Sequence, residues 1–446
     1  PFGTGGFARL TASRSLSVVP PHTADLSLHS SKTALSEWFY LVGKRSRIKI
    51  MSPPPPRSMP QNAKGNTIRM AFFYAAVFGL IGIHLPFWPV WLAARGLGPT
   101  EIGVIMAASV GIKVIFNPLI AHVADRRGLR RPIMIMLAAS GFFVFALFGV
   151  TTGFWSILLV SVMFFALWSP IMPLGESLTM LSGRDGSESG GELDYGRIRL
   201  WGSLSFIATA VGAGHLLSGR SPDIIFWVLL MALVLIVSVT IALPATQAPA
   251  ATGARFASFE VLRDRQFVVF IAACALIQAS HSVYYVFGTL NWKAQGFSES
   301  VIGWLWAEGV AAEILLFAFG VRLVGRLGPA GLIFLGGLAG ALRWSLTGVS
   351  DTLEMLIALQ LLHAFTFGAT HLGAIYFITR RVPPDLSASA QGLYSAAVMG
   401  LALGLSALAA GKLFALFGAG AYQPMALLAA AGAGLAMFLR KETGPS

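Results

Sequence analysis

"PATQAPAATGARFASFEVLRDRQ", residues 244–266, is rich in Ala and Pro and then turns charged. Six apolar runs precede it, centred on 70–93, 101–124, 131–149, 155–180, 197–217 and 223–243. Six follow it, near 267–290, 300–320, 330–348, 353–379, 388–411 and 420–440. Each run approaches the roughly 20 residues that a helix needs to cross a bilayer core. The segment between them has the composition of a linker. The expectation is an all-α membrane protein with twelve transmembrane helices in two six-helix bundles, 68–243 and 267–441, joined by a cytoplasmic linker at 244–266. Residues 1–67 are polar and proline-rich, and read as a disordered tail or as translation upstream of a start at Met51 or Met59.

Composition agrees with that reading. Of 446 residues, 55% are hydrophobic and only 11% charged, where a soluble domain carries about 25%. A soluble enzyme is excluded. The chain has no Gly-x-Ser-x-Gly elbow and no phosphate-cradling Gly-x-x-x-x-Gly-Lys loop, so neither hydrolysis nor a nucleotide cofactor is expected. One cysteine, Cys274, cannot form an internal disulfide, and no His/Cys/Asp spacing suits a metal. The net charge of +13 raises the question of a nucleic-acid partner. Its distribution answers it: after residue 50, 19 Lys/Arg fall on one side of the expected membrane, and four, Arg95, Arg220, Lys293 and Lys412, on the other. That asymmetry sets topology and places both termini in the cytoplasm. The partners expected are the lipid bilayer, a small organic anion and protons, with no nucleic acid.

The halves echo each other. "AHVADRRGLRRP" (121–132) follows the second run and "FGVRLVGRLGP" (319–329) the eighth, each a short basic turn containing glycine. Two six-helix halves with internal repetition describe the major facilitator architecture, which binds substrate at mid-membrane between the halves. "ADRRGLRR" (124–131) resembles that superfamily's loop motif, with Asp125, Arg126, Gly128 and Arg131 matching and Ala121 where the first Gly is usual. "LPFWPVWLAARGLGPTEIG" (85–103), "LDYGRIRLWGS" (193–203), "SHSVYYVFGTLNWKAQGFS" (280–298), "LRWSLTG" (342–348) and "LLHAFTFGATHL" (361–372) resemble the 3-phenylpropionate permease group. That group is related to the lactose and nucleoside proton symporters, and the resemblance spans about residues 68 to 440.

Polar residues inside apolar runs mark the candidate site. A charge at the centre of a spanning helix costs about 3 kcal/mol on insertion scales, so each needs a reason to be there. Arg199 stands past the first turn of the fifth run, and the resemblance places it beside a sugar-contacting arginine of the lactose permease. Glu176 then occupies the place of that protein's companion carboxylate, and a direct Arg199–Glu176 pair would offset the desolvation of both. Arg343 lies mid-span and resembles an arginine of proton coupling. Lys113 lies mid-span too; it suits an anionic substrate, the alternative being a structural bond to Asn117. Glu308 and Glu313 are five residues apart and about 140° round one helix. Buried acids have raised pKa values and can carry protons near neutrality, which makes Glu313, then Glu308, the proton-carrier candidates. Glu313 shares a face with Trp306 and Gly309.

His363 is similar in place to the coupling histidine of the lactose permease, although Thr366 replaces the acid three residues on. His371 and His281 are further candidates, with Tyr284 and Tyr285 following His281. Trp88 and Trp91 flank Pro89, where a kink is expected; aromatics such as these, Trp304, Trp306 and Trp344 serve as packing or as stacking surface for a planar substrate. The implied activity is proton-coupled import of a small aromatic carboxylate across the inner membrane. A sugar or nucleoside proton symporter, a drug exporter and a non-transporting sensor remain as alternatives.

Overall fold

The structure, a computed structural model, describes residues 61–188, 195–246, 261–383 and 386–439. Most of the expected N-terminal tail and most of the linker lie outside them. The described residues fall in one compact unit, Met51–Ser446, and contain helices and no strand.

Twelve spans run in order: α1 (Gln61–Ala94), α2 (Pro99–Arg127), α3 (Arg130–Ala146), α4 (Gly153–Trp168 continued by Ile171–Glu188), α5 (Tyr195–Leu217) and α6 (Asp223–Ala242), then α7 (Arg265–Ala279 continued by Ser282–Ala294), α8 (Glu299–Ala318), α9 (Gly320–Thr347), α10 (Leu353–Leu361, Ala364–Ala369 and Thr370–Arg381), α11 (Ser387–Tyr394, Ser395–Ala402 and Leu403–Phe417) and α12 (Tyr422–Ala436). The last two share one apolar stretch, Ser389–Ala436, of 48 residues. Gly418, at φ 54° and ψ −128°, divides it. A side chain there would strain the backbone, so glycine makes this turn.

One expectation about a connector changes. The basic stretch 319–329 is helical as far as Gly328, whose φ of 68° and ψ of 172° break α9 before Pro329. In α1, helical backbone continues past both Pro86 and Pro89. Trp88 and Trp91 stack there at 4.5 Å and pack on Phe148. They are fully buried, which makes them core.

Small residues bring the halves together. A Cβ on Gly103 of α2 would lie 2.6 Å from the Gly411 Cα of α11. Gly214 of α5 meets the Glu299 carbonyl and Gly303 of α8 in the same way. Without side chains between them the backbones touch, which is how helices gain packing energy in lipid. Both crossings lie at the end of the molecule that carries the short loops around residues 96, 219, 296 and 418. They close that end.

At the opposite end, the motif arginine that meets Asp125 is Arg130, which donates to it at 2.6 Å and to Ser177 at 2.8 Å. Arg131 instead donates to the Ile241 carbonyl at 2.5 Å. The turn after α2 is only Gly128 and Leu129, and Leu129 as the residue before α3 turns Arg130 inward. The match to Arg131 is off by one: the motif's last arginine stands five residues after its aspartate, which is Arg130 here.

Candidate functional site

The intramembrane polar residues form three clusters and one outlier. The first is built around Arg343 in the middle of α9, 1% exposed. Its Nη1 donates to His363 Nδ1 at 3.1 Å and to Thr366 Oγ1 at 3.2 Å, and its Nη2 to Gln360 Oε1. Its guanidinium also covers the rings of Tyr284, at 4.6 Å, and Trp344, at 4.4 Å. Gln360 in turn donates to the Tyr284 hydroxyl at 3.1 Å and the Leu305 carbonyl at 2.7 Å.

His281 extends this network. Its Nδ1 lies 3.0 Å from the Ile277 carbonyl and its Nε2 3.1 Å from Thr366 Oγ1. A carbonyl can only accept, so Nδ1 carries the proton and Nε2 accepts from Thr366. The result is a chain of bonds from Arg343 through Thr366 and His281 to Ile277. Three helices supply it, and the π-helical turn Ala364–Ala369 is what places Thr366 between α7 and α9. Such turns often occur at functional positions. Trp344 Nε1 donates to Ser280 at 2.9 Å and Trp306 Nε1 to Thr289 at 3.0 Å, while Trp306 stacks on Tyr284 at 4.5 Å. Tyr285 stacks on His281 at 5.4 Å. Arg343, His363, His281, Tyr284, Tyr285 and Trp306 are therefore brought together.

The second cluster surrounds Arg199 on α5. Its guanidinium lies 3.9 Å from the centre of the Phe78 ring. Its charge reaches Glu176 of α4, and Glu313 and His371 across the interface between the halves. The direct Arg199–Glu176 pair expected from sequence does not form: among the described residues no ion pair within 4 Å includes either side chain. The Phe78 face takes the place of the carboxylate, as a ring quadrupole attracts a cation. Glu313 packs its Cγ toward Gly368 on the π-helical turn. His371 stacks on Phe367, 5.8 Å away, and Phe367 on His363 at 5.6 Å.

The third cluster is in the N-terminal half. Lys113 Nζ lies 5.3 Å from the Phe165 ring centre. The alternative bond to Asn117 does not form, because Asn117 Oδ1 accepts from Ser169 at 2.7 Å. Beside Lys113 stands His84, which no motif singled out. The available signal was a histidine inside an apolar run, four residues before Trp88, on whose ring it stacks at 5.5 Å.

Glu308 stands apart. It lines an apolar groove of about 510 Å³ with Ile207, Trp304, Leu305, Ala311 and Ile357. Trp304 and Ile357 are exposed there, so the groove opens toward lipid. The charge of Arg343 still reaches Glu308 through the Leu305–Gln360 wall. Asp125, Arg126, Gly128 and Arg131 lie at the end of α2, away from all three clusters.

Comparison with known proteins follows the same lines. A profile described as the MFS_1 like family matches residues 67–423. The probable 3-phenylpropionic acid transporter of Escherichia coli (strain K12) is 31% identical over 381 residues, covering 84% of this chain and 98% of its own. A lactose permease of Klebsiella oxytoca is 24% identical, with 70% of this chain and 79% of its own covered. Among solved structures, the nucleoside transporter NupG superposes with a TM-score of 0.71 at 18% identity, over 84% of this chain and 98% of that one.

Proposed function

Because the chain belongs to the MFS_1 like family of multi-pass membrane transporters, we propose that it imports a small aromatic carboxylate together with protons. The observation that carries this reading is a set of cations that make no contact ion pair. Lys113, Arg199 and Arg343 all lie within spans, and none has a carboxylate within 4 Å among the described residues. Three charges at about 3 kcal/mol each represent a cost comparable with the stability of a whole domain. A cation with no carboxylate in contact is the arrangement that an anionic substrate completes, and that substrate's carboxylate also makes charge-assisted bonds that neutral sugars do not. The aromatic side chains Phe165, Tyr284, Tyr285 and Trp306 suit a planar ring. The likeness to a probable 3-phenylpropionic acid transporter supports the same substrate class.

For the proton, Glu313 is the carrier in this proposal. It is half-buried on α8 against the π-helical turn of α10; the charge of Arg199 reaches both it and His371, and His371 connects through the Phe367 ring to His363. Glu176 adds a second acid beside Arg199. Glu308, at the lipid-facing groove, has a lesser claim. The basic ends of the spans, with the termini, face the cytoplasm of the inner membrane; the glycine-sealed end then faces out. The molecule divides functionally into bundles 68–243 and 267–441 that rock about those crossings.

Uptake of 3-phenylpropionate into proteoliposomes under an inward proton gradient tests the reading directly. Accumulation that collapses with a protonophore and is competed by aromatic acids, but not by lactose or uridine, is the expected result. Accumulation of lactose or uridine in its place would move the protein to the neutral-solute symporters.

A further inference from the structure

Resting on the aromatic-carboxylate reading, one question is which cation holds the carboxylate. Arg343 is committed: its bonds run to His363, Thr366 and Gln360, all neutral and all buried. Arg199 lies against Phe78 and shares its field with two acids. Lys113 is different. Among the described residues it makes no hydrogen bond and no ion pair, and its ammonium lies over the Phe165 ring.

His84 stands next to it. The ring is 9% exposed, is stacked on Trp88, and meets the same Phe165 ring edge-on at 5.4 Å. Its Nε2 is fully buried and has no hydrogen-bond partner. A buried polar nitrogen without a partner costs about 1–3 kcal/mol, and most such groups in native proteins have a partner. Here a half-buried ammonium that makes no hydrogen bond, and an imidazole ring whose Nε2 has no partner, lie 5.3 and 5.4 Å from the centre of one phenyl ring. A single acceptor group with two oxygens would satisfy both.

We infer that Lys113 and His84 together hold the substrate's carboxylate, Lys113 as the ammonium on one oxygen and His84 through Nε2–H on the other, with Phe165 beside the bound group. His84 is then a specificity-determining residue: it selects a carboxylate over an isosteric amide, whose oxygen accepts from one donor while its NH2 faces the other and cannot accept from it.

The test compares 3-phenylpropionate with 3-phenylpropionamide by isothermal titration on the full-length purified protein. The wild type is expected to prefer the acid at least tenfold. H84A and K113Q should each lose that preference through a tenfold weaker grip on the acid, with the amide changed less than twofold. H84Q, which keeps a donor, and K113R, which keeps the charge, should restore part of it and stand in where a harsher variant fails to fold. Full acid preference in all four variants overturns the assignment and leaves the aromatic-carboxylate reading standing. A wild type that binds neither the acid nor the amide overturns both.

Discussion

Lys113 in α2 and Arg343 in α9 are both intramembrane cations in mid-span, yet their surroundings differ in kind. Arg343 is locked by three neutral hydrogen-bond partners and two aromatic faces. Lys113 lies over one aromatic face and makes no hydrogen bond and no ion pair among the described residues. A saturated charge organises its own half of the protein. An unsatisfied one is available to a ligand. Charge inside the membrane therefore does not by itself mark a binding group; the count of committed donors does.

The sharpest way to break this comparison is to remove each charge. Arg343→Met leaves Gln360, His363 and Thr366 each short of a buried partner, at about 1–3 kcal/mol apiece. A loss of roughly 3 kcal/mol or more is expected, read as a fall in the midpoint of thermal unfolding in detergent. Lys113→Met should leave stability unchanged or raise it, because no bond is lost and an unpaired charge leaves the apolar region. Equal falls at both positions would end the distinction.

Gln360→Leu sharpens it. That glutamine joins Arg343 to Tyr284 and Leu305, so its removal should cost about 2 kcal/mol in the same measurement. Ser169→Ala in the other half breaks a single bond to Asn117 and should cost about 1 kcal/mol or less. The two regions also depend on the seam between the halves. Gly103→Ala places a methyl against the Gly411 backbone and should destabilise by about 1–3 kcal/mol. Gly212→Ala, where a Cβ meets nothing within 4 Å, should stabilise by about 0.5–1 kcal/mol.

The smallest effect lies outside the membrane, where the C-terminal half is tied at its basic end. Arg381 donates to Asp264 at 2.5 and 3.0 Å, and this hydrogen bond holds the Asp264 carboxyl below its ordinary value. A depressed folded-state value means stability that is present above the usual aspartate pKa near 3.9 and lost as pH falls through the folded one. The pair is more than a third exposed at Asp264, so Asp264→Asn should cost less than about 1 kcal/mol at pH 7. That difference should shrink as the pH falls below the ordinary aspartate value and vanish once Asp264 is protonated in the folded protein. A difference that grows on acidification would reverse the sign argued here.

The fold was legible in the sequence because its signal is long and repeated: runs of about 20 apolar residues leave lipid as the medium and helix as the only backbone solution open to them. The candidate polar residues were legible as exceptions inside those runs. Their partners were not. Thr366 and Gln360 are ordinary polar residues with no spacing that announces a contact with Arg343, and the π-helical turn that aims Thr366 shifts the register on which a helical-face argument relies. The Arg199–Glu176 pair failed for a related reason. A pattern places residues on helices, whereas a 4 Å contact depends on how helices cross, and here Phe78 fills the space.

The sequence by itself determined the medium, the number of spans, their division into halves and the rarity of charge within them, because hydropathy is a sum over neighbouring residues. Only the tertiary structure decided which buried charges are satisfied, and that His84 stands orphaned beside Lys113. Those are matters of a few ångströms between helices far apart in the chain, and hydrogen bonds inside lipid are won or lost over that distance.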